Sequence, residues 1–260
     1  MAYIKKAAST GVIFVACLLP ARAQLNESDT ARLQIRIQAT GMWQRGNVVL
    51  NLLRGRAEVV AALGNDWTFK SQNNSLYQAF NGFKVDNDLN SRNYLYFRPQ
   101  NHVYPFAMAY VQTNYRRKIA MRSFAGAGIT WQALHAKTHF VKLSASMVAE
   151  SSRFNANLFN EPGYDGQNVI SLWRPTAYLQ AAWHGWPQGP RLQLQTYWQG
   201  GMDDFANNRW LAELSLEQKL GWGFSLTGQW TYQYEQVVVS GIRSTDQLFS
   251  LGLNYQIFRK

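Results

Sequence analysis

Apolar and polar residues alternate one by one through most of this chain. Phe224, Leu226, Gly228, Trp230, Tyr232 and Tyr234 are set against Ser225, Thr227, Gln229, Thr231, Gln233 and Glu235. Leu33, Ile35 and Ile37 alternate with Arg32, Gln34, Arg36 and Gln38, and Leu192, Leu194, Thr196 and Trp198 with Gln193, Gln195 and Gln199. Trp210, Ala212, Leu214 and Leu216 alternate with Glu213, Ser215 and Glu217. A period of two is that of a strand with two unlike faces, and helical spacing is not sustained over any comparable window. The pattern predicts twelve strands, over 32–43, 47–61, 64–77, 88–98, 104–116, 119–133, 136–151, 168–184, 190–201, 207–220, 223–236 and 245–258. Gly46-Asn47, Gly64-Asn65 and Gly221-Trp222-Gly223 are hairpin signals between alternating runs. Pro99, Pro105, Pro187 and Pro190 fall near predicted turns. Pro175 falls inside the eighth predicted strand and counts against an unbroken strand there.

The connections carry a second signal. The even-numbered ones, around Leu63, Gln100, Leu134, Pro187 and Leu220, are short. The four longest, around 78–87, 152–167, 202–206 and 237–244, are all odd-numbered. Transmembrane barrels have an even number of strands, short periplasmic turns and long outer loops. A soluble sandwich has no reason to sort its loops by parity.

Composition narrows the choice. Hydrophobic residues make up 47% of the 260, aromatics 14%, and charged residues only 16%, against about 25% in ordinary soluble chains. Mean hydropathy is nevertheless −0.30, because uncharged polar residues replace the missing charges. That excludes a bundle of spanning helices, and the aromatics argue against disorder. The single cysteine excludes a disulfide framework and a cysteine zinc site. Aromatics gather toward the strand ends, among them Trp43, Trp67, Trp131, Trp173, Trp183 and Trp222, as interfacial girdles require. In a water-soluble barrel of this size the apolar face would have too much interior to fill. The fold class expected is therefore all-β: an antiparallel transmembrane β-barrel of about 12 strands.

The first residues read as an address. Lys5 and Lys6 precede the apolar stretch Ala7 to Pro20, and Ala21-Arg22-Ala23 is a small-x-small processing pattern. Residues 1–23 are expected to be a signal peptide and 24–260 the barrel domain. Lipidation at Cys17 is the competing outcome. Cleavage removes Lys5, Lys6 and Arg22 and lowers the net charge from +11 to +8. The location expected is the bacterial cell outer membrane.

Several segments resemble a family of bacterial outer-membrane barrels of unknown function, often described as putative salt-induced outer-membrane proteins. They are Gly41-Met42-Trp43 with Gly46-Asn47, Asn90 to Phe97, Asn114 to Gly128, Arg174-Pro175 and the closing Leu253 to Phe258. The resemblance covers most of the mature chain, implies a barrel in an outer membrane, and brings no catalytic residues with it. A terminal strand ending near Phe258 also suits recognition by the barrel-assembly machinery.

The inward face expected from the alternation carries both signs of charge: Arg32, Arg36, Arg54, Arg56, Glu58, Gln193, Gln195, Glu213, Glu217, Gln229, Gln233, Glu235, Asn254 and Gln256. These groups either line a narrow passive pore for small polar solutes or ions, or pair across the lumen and plug it. A pore would take its ion selectivity from residues such as Arg54 and Arg56. The alternative function is a non-conducting barrel that docks partners through its outer loops. In the longest of these, Asn155 to Gln167, Phe159 and Tyr164 either pack the loop onto the rim or contact a partner. Arg116, Arg117 and Lys118 form a basic turn that could meet the phosphates of lipopolysaccharide or remain simply solvated. Nucleic acid is not expected, because the basic residues are scattered.

A lipid-modifying enzyme ranks third. His102, His135, His139 and His184 all fall near predicted periplasmic turns, and no HExxH is present. Asp203-Asp204 is too small a group to imply calcium. No cofactor, metal or catalytic residue is assigned.

Overall fold

The computed structural model describes residues 25–28, 32–46, 49–136, 138–185 and 189–259, the last three without their side chains. The signal segment 1–23 with Cys17, and Asn47 and Pro187 at predicted turns, lie outside the described residues. Twelve strands follow in order: β1 (Leu33–Gln44), β2 (Leu50–Leu63), β3 (Trp67–Phe80), β4 (Phe83–Phe97), β5 (Val103–Asn114), β6 (Ile119–His135), β7 (His139–Phe154), β8 (Val169–His184), β9 (Arg191–Gln199), β10 (Arg209–Gly221), β11 (Phe224–Glu235) and β12 (Thr245–Arg259). Each pairs antiparallel with its neighbours. β1 closes the ring on β12, from Leu33 opposite Arg259 to Ala39 opposite Leu253. Closure leaves no sheet edge, which a bilayer could not hydrogen-bond.

The two faces have opposite chemistry. Ile37, Leu53, Leu216, Leu226, Leu251 and Leu253 stand exposed on the outside. Gln34, Arg36, Glu58, Lys70, Arg122 and Glu150 are buried inside. This polarity is the reverse of a soluble protein's and suits a lipid solvent. Exposed tryptophans form two rings. Trp67, Trp131, Trp183 and Trp222 lie at the end holding the chain termini, and Trp43, Trp173 and Trp210 at the opposite, loop end. These are the heights at which amphipathic rings anchor to an interface.

The third connection corrects the sequence reading. A long loop was expected around 78–87, but β3 and β4 run on to a tight turn at Asn81-Gly82, with φ of 48° and 82°. Two positive φ values match the twist of the strands, and Asn-Gly supplies them at the least cost. Trp222-Gly223 makes the same kind of turn (φ 53° and 82°) at the other end. The remaining long connections, 155–168, 200–208 and 236–244, all lie at the loop end. Pro175 remains in β8, one residue beyond the β8–β9 ladder, which runs from Thr176 to His184. A missing N–H costs little at that margin. Arg32, expected inside, is exposed just before β1.

The inner wall of β4–β7 carries aromatics packed on glycines. Tyr110 and Phe124 stack with centroids 4.4 Å apart, and Tyr96, Tyr104 and Phe106 form a second buried group. Gly126 and Gly128 leave room beneath them. A Cβ at Gly126 would lie 2.0 Å from the Met147 carbonyl oxygen and 2.8 Å from Val148 Cα. Gly126→Ala should therefore destabilise the barrel by about 1–3 kcal/mol, read as a lower temperature for the folded-to-unfolded shift on a gel. An unchanged temperature would mean that β6 and β7 separate freely at this point.

Candidate functional site

The lumen is built in tiers. Toward the terminal end, Arg36 on β1 meets Glu217 on β10 at 3.1 Å, and nearer the middle Arg56 on β2 binds its own strand's Glu58 at 2.5 Å. Glu213 on β10 stands 3.9 Å from both Arg56 and Arg92, the latter reaching across from β4. The Arg92 guanidinium also lies 5.8 Å from the ring centres of Tyr110 and Tyr197.

Toward the loop end, Arg122 on β6 spans the barrel to grip both oxygens of Glu235 on β11, at 2.8 and 3.0 Å. Glu150 sits among three guanidiniums: Arg174 at 2.9 Å, Arg209 at 2.5 Å and Arg122 at 3.5 Å. Planar guanidiniums suit this shared, multidentate binding. Above them the loops 155–168 and 236–244 meet at a bridge between Phe159 and Val239. Ile119, Phe154, Phe159, Ile170, Val237 and Val239 make one buried apolar cluster there. Tyr164 is packed too, donating to Asp204 Oδ2 and accepting from Asn207. Phe159 and Tyr164 thus fasten loop to rim, and Asp204 is engaged by that fastening.

At the terminal end the floor is not made by the strands. Residues 25–28 enter the lumen ahead of β1. The Gln34 side-chain amide pairs with the Asn26 backbone, accepting from its N–H (3.3 Å) and donating to its C=O (3.1 Å). Ser28 Oγ donates to the Pro99 carbonyl at 2.6 Å. Glu27 is 2% exposed. It accepts from Lys70 Nζ (3.0 Å), Lys142 Nζ (2.8 Å) and Tyr104 OH (3.0 Å), which come from β3, β7 and β5. Lys142 spends its other donors on Asn26 Oδ1 and Ser28 Oγ.

Burial by itself would raise the Glu27 carboxyl. Lys142 and then Lys70 outweigh that effect and hold the group well below the usual carboxylate range. A depressed value means that the contact contributes fully above about pH 4.5 and weakens only as pH falls toward the folded-state value. A spin label at residue 25 should therefore stay immobile from pH 8 to pH 5 and loosen only in stronger acid. Loosening near pH 6 would contradict the pairing.

Apart from Arg32, the inward candidates named from sequence face this interior. Arg36, Arg56, Gln193, Gln195, Glu213, Glu217 and Gln229 border one cavity of about 30 Å³. Arg54, Glu213 and Gln233 border another of about 130 Å³, which extends toward Arg116 at the loop end. Glu58 is held by Arg56 and Gln72, and Glu235 by Arg122. The basic turn is divided. Arg117 is 3% exposed and paired with Asp246 at 2.7 Å, so it faces inward rather than outward as expected. Arg116 is half-exposed and paired with Asp86, and Lys118 is exposed. The histidines stand at terminal-end turns. There His102 and His184 contact the Gln132 and Thr138 carbonyls and His139 contacts the Thr138 hydroxyl, away from the charged tiers.

Sequence reasoning missed Glu27, Lys70, Lys142 and Tyr104. A signal was present. Lys70 and Lys142 fall at the same depth, four residues into β3 and β7, and the only other charged residue on those two inward faces, Glu150, lies eight residues further along β7. Two buried ammoniums demand a carboxylate, and the strands supply none beside them.

A closed twelve-strand sheet, apolar outside and charged within, defines a transmembrane β-barrel of the outer-membrane type. The chain belongs to the family described as protein of unknown function, DUF481, which matches residues 37–257. No curated protein shows significant similarity to it. Among solved structures it is similar to the NanC porin, at 12% identity over 86% of this chain and 100% of that one, with a TM-score of 0.49. It is also similar to the translocator domain of the autotransporter NalP from Neisseria meningitidis, at 12% identity over 87% and 89%, with a TM-score of 0.45.

Proposed function

We propose that the protein is an outer-membrane pore for small polar solutes or ions that rests closed, with residues 25–28 as its stopper. One observation carries this reading. The floor of the lumen is a segment outside the strand wall, fastened chiefly through one carboxylate on two ammoniums. It can leave without breaking a single rung of the sheet. A lumen sealed only by its own walls would have to unfold to open.

Behind the stopper lie the 30 Å³ and 130 Å³ cavities, both bordered by Glu213. The Arg56–Glu213–Arg92 contacts at 3.9 Å are looser than the pairs above and below them. Glu213 is therefore the carboxylate that a solute passing between the two cavities would meet. Arg54 is bonded to Ser250 Oγ rather than to a carboxylate, and Arg191 Nη1 is buried without a hydrogen-bond partner. Guanidiniums without a directly bonded carboxylate in a narrow lumen favour anions.

The outer-membrane location, assembly by the barrel machinery, and lipid and lipopolysaccharide as surroundings belong to this proposal, with Arg116 and Lys118 placed to meet glycolipid phosphates. The resemblance to salt-induced barrels adds osmotic stress as a setting in which a closed resting state is useful.

The test is single-channel current through a planar bilayer. The unmodified chain should be almost always closed, and a chain whose stopper is released should conduct with a preference for anions. No current from the stopper-released chain, inserted and folded, would leave a non-conducting barrel that acts through its loops.

A further inference from the structure

The outer wall of β3 and β4 breaks the rule that the rest of the belt obeys. At the middle of the bilayer a barrel's outward residues are apolar. Here Ser71 and Asn73 of β3 and Ser91 and Asn93 of β4 face outward, and they are cross-strand partners: Ser71 opposite Asn93, Asn73 opposite Ser91. Their orientation follows from their neighbours. Lys70 and Gln72 bind Glu27 and Glu58 inside, and Arg92 reaches Glu213. Trp67, Tyr77 and Leu89, of the same parity as the four, are exposed.

The depth follows from the girdle residues on β3. Trp67 and Tyr77 are 77 − 67 = 10 residues apart. At ~3.3 Å per residue and a tilt of roughly 40° they span about 25 Å, the height of the apolar band. Ser71 and Asn73 lie between them, near its centre.

The four side chains form a directed hydrogen-bonded row. Asn73 Nδ2 donates to Ser71 Oγ (2.9 Å), Ser71 Oγ to Asn93 Oδ1 (2.9 Å), and Asn93 Nδ2 to Ser91 Oγ (3.0 Å). The bonds fold back on themselves, because Asn73 is the cross-strand partner of Ser91, and they leave an acceptor, Asn73 Oδ1, beside a donor, the Ser91 hydroxyl. Short side chains flank the row: Ala57 and Val59 are opposite Asn73 and Ser71, and Ala109 and Val111 are opposite Asn93 and Ser91. The wall across the barrel carries Leu214 and Leu216 of β10 and Leu226 and Trp230 of β11 at its belt.

We propose that this wall is the contact between two copies of the chain in the membrane. Lipid cannot hydrogen-bond the ends of the row, whereas a second barrel can. The occupant that fits is this same chain, because the row carries no charge and is self-complementary. In a two-fold pair the donor end of each copy meets the acceptor end of the other, as an isologous interface requires. The flanking short side chains let the two walls approach closely, and side-chain amides and hydroxyls are the groups that join segments within a bilayer.

The experiment uses the full mature chain, refolded into phosphatidylcholine vesicles at low protein-to-lipid ratio, with one cysteine introduced on the outer wall. Ser91→Cys should give disulfide-linked dimers on mild oxidation, and Leu226→Cys on the far wall should give on the order of tenfold fewer. Adding Asn73→Leu and Asn93→Leu to Ser91→Cys should lower the dimer yield by a similar factor, while the heat-dependent gel shift reports that the barrel still folds. Equal yields at both positions, a yield indifferent to the leucines in a folded barrel, or dimers that form only in cells and never from the purified chain would overturn the proposal.

Discussion

Glu27→Lys should open the barrel. The substitution removes the carboxylate that Lys70 and Lys142 share and places a third ammonium between them. Removing one partner of a buried charge pair costs about 3–5 kcal/mol, because the other charge stays buried and unpaired. Here that cost falls on the seated state alone, since a released segment carries its lysine into water. At 1.36 kcal/mol per tenfold, the ratio of seated to released segment should fall by about 10²–10³ or more. The sheet is untouched, so insertion and the gel shift should remain those of the original chain. The measurement is open probability in a planar bilayer, expected to rise from rare events to sustained conduction. A second substitution, Lys70→Glu, restores one opposite pair and should close the channel again at least partly. A Glu27→Lys barrel that stays silent would show that the tiers above the floor seal the lumen by themselves.

Glu150→Ala should be the most destabilising single change in the wall. Its carboxylate is shared by Arg122, Arg174 and Arg209. Arg122 keeps Glu235, and Arg174 keeps the Asn207 carbonyl and side chain at 2.6 and 2.8 Å. Arg209 keeps Gln199 at 2.5 Å but loses its countercharge. Three neighbouring cations would then face one another around an empty position. The expected loss is about 3–5 kcal/mol, seen as a fall in the urea midpoint of the chain folded in vesicles. Glu150→Gln still accepts hydrogen bonds and should lose less. A loss under about 1 kcal/mol for alanine would mean that water reaches these arginines and hydrates them.

The legible part of the fold was what depends on strand period. All twelve strands, the inward side of Arg36, Arg54, Arg56, Glu58, Glu213, Glu217 and Glu235 and the outward side of Leu216, Leu226, Leu251 and Leu253 follow from alternation, because one residue's slip would turn every side chain to the wrong solvent. The missed turn at Asn81-Gly82 was legible too. The alternation around it is weak, with Asn87, Asp88 and Asn90 close together, so polar composition suggested a loop where turn chemistry specifies a hairpin. Arg117 went the other way. It reads as one of three basic residues in an exposed turn, yet it points inward because Asp246, on a strand far away in sequence, stands beside it.

The sequence by itself determined the barrel, its strand count, and the sorting of charge to the inside and apolar bulk to the outside. Each of these is a local rule repeated along the chain. Which charges meet was decided by the tertiary structure alone. Arg122 with Glu235, Arg92 with Glu213, and Glu27 with Lys70 and Lys142 join residues far apart in sequence, and only the curvature of the closed sheet brings them together. The row of Ser71, Asn73, Ser91 and Asn93 is set by the register of the β3–β4 hairpin, and what the tertiary structure adds is its depth. Each is an ordinary strand residue in sequence, and closure of the sheet turns this face of the hairpin outward at mid-membrane depth, where polar groups need a partner that lipid does not supply.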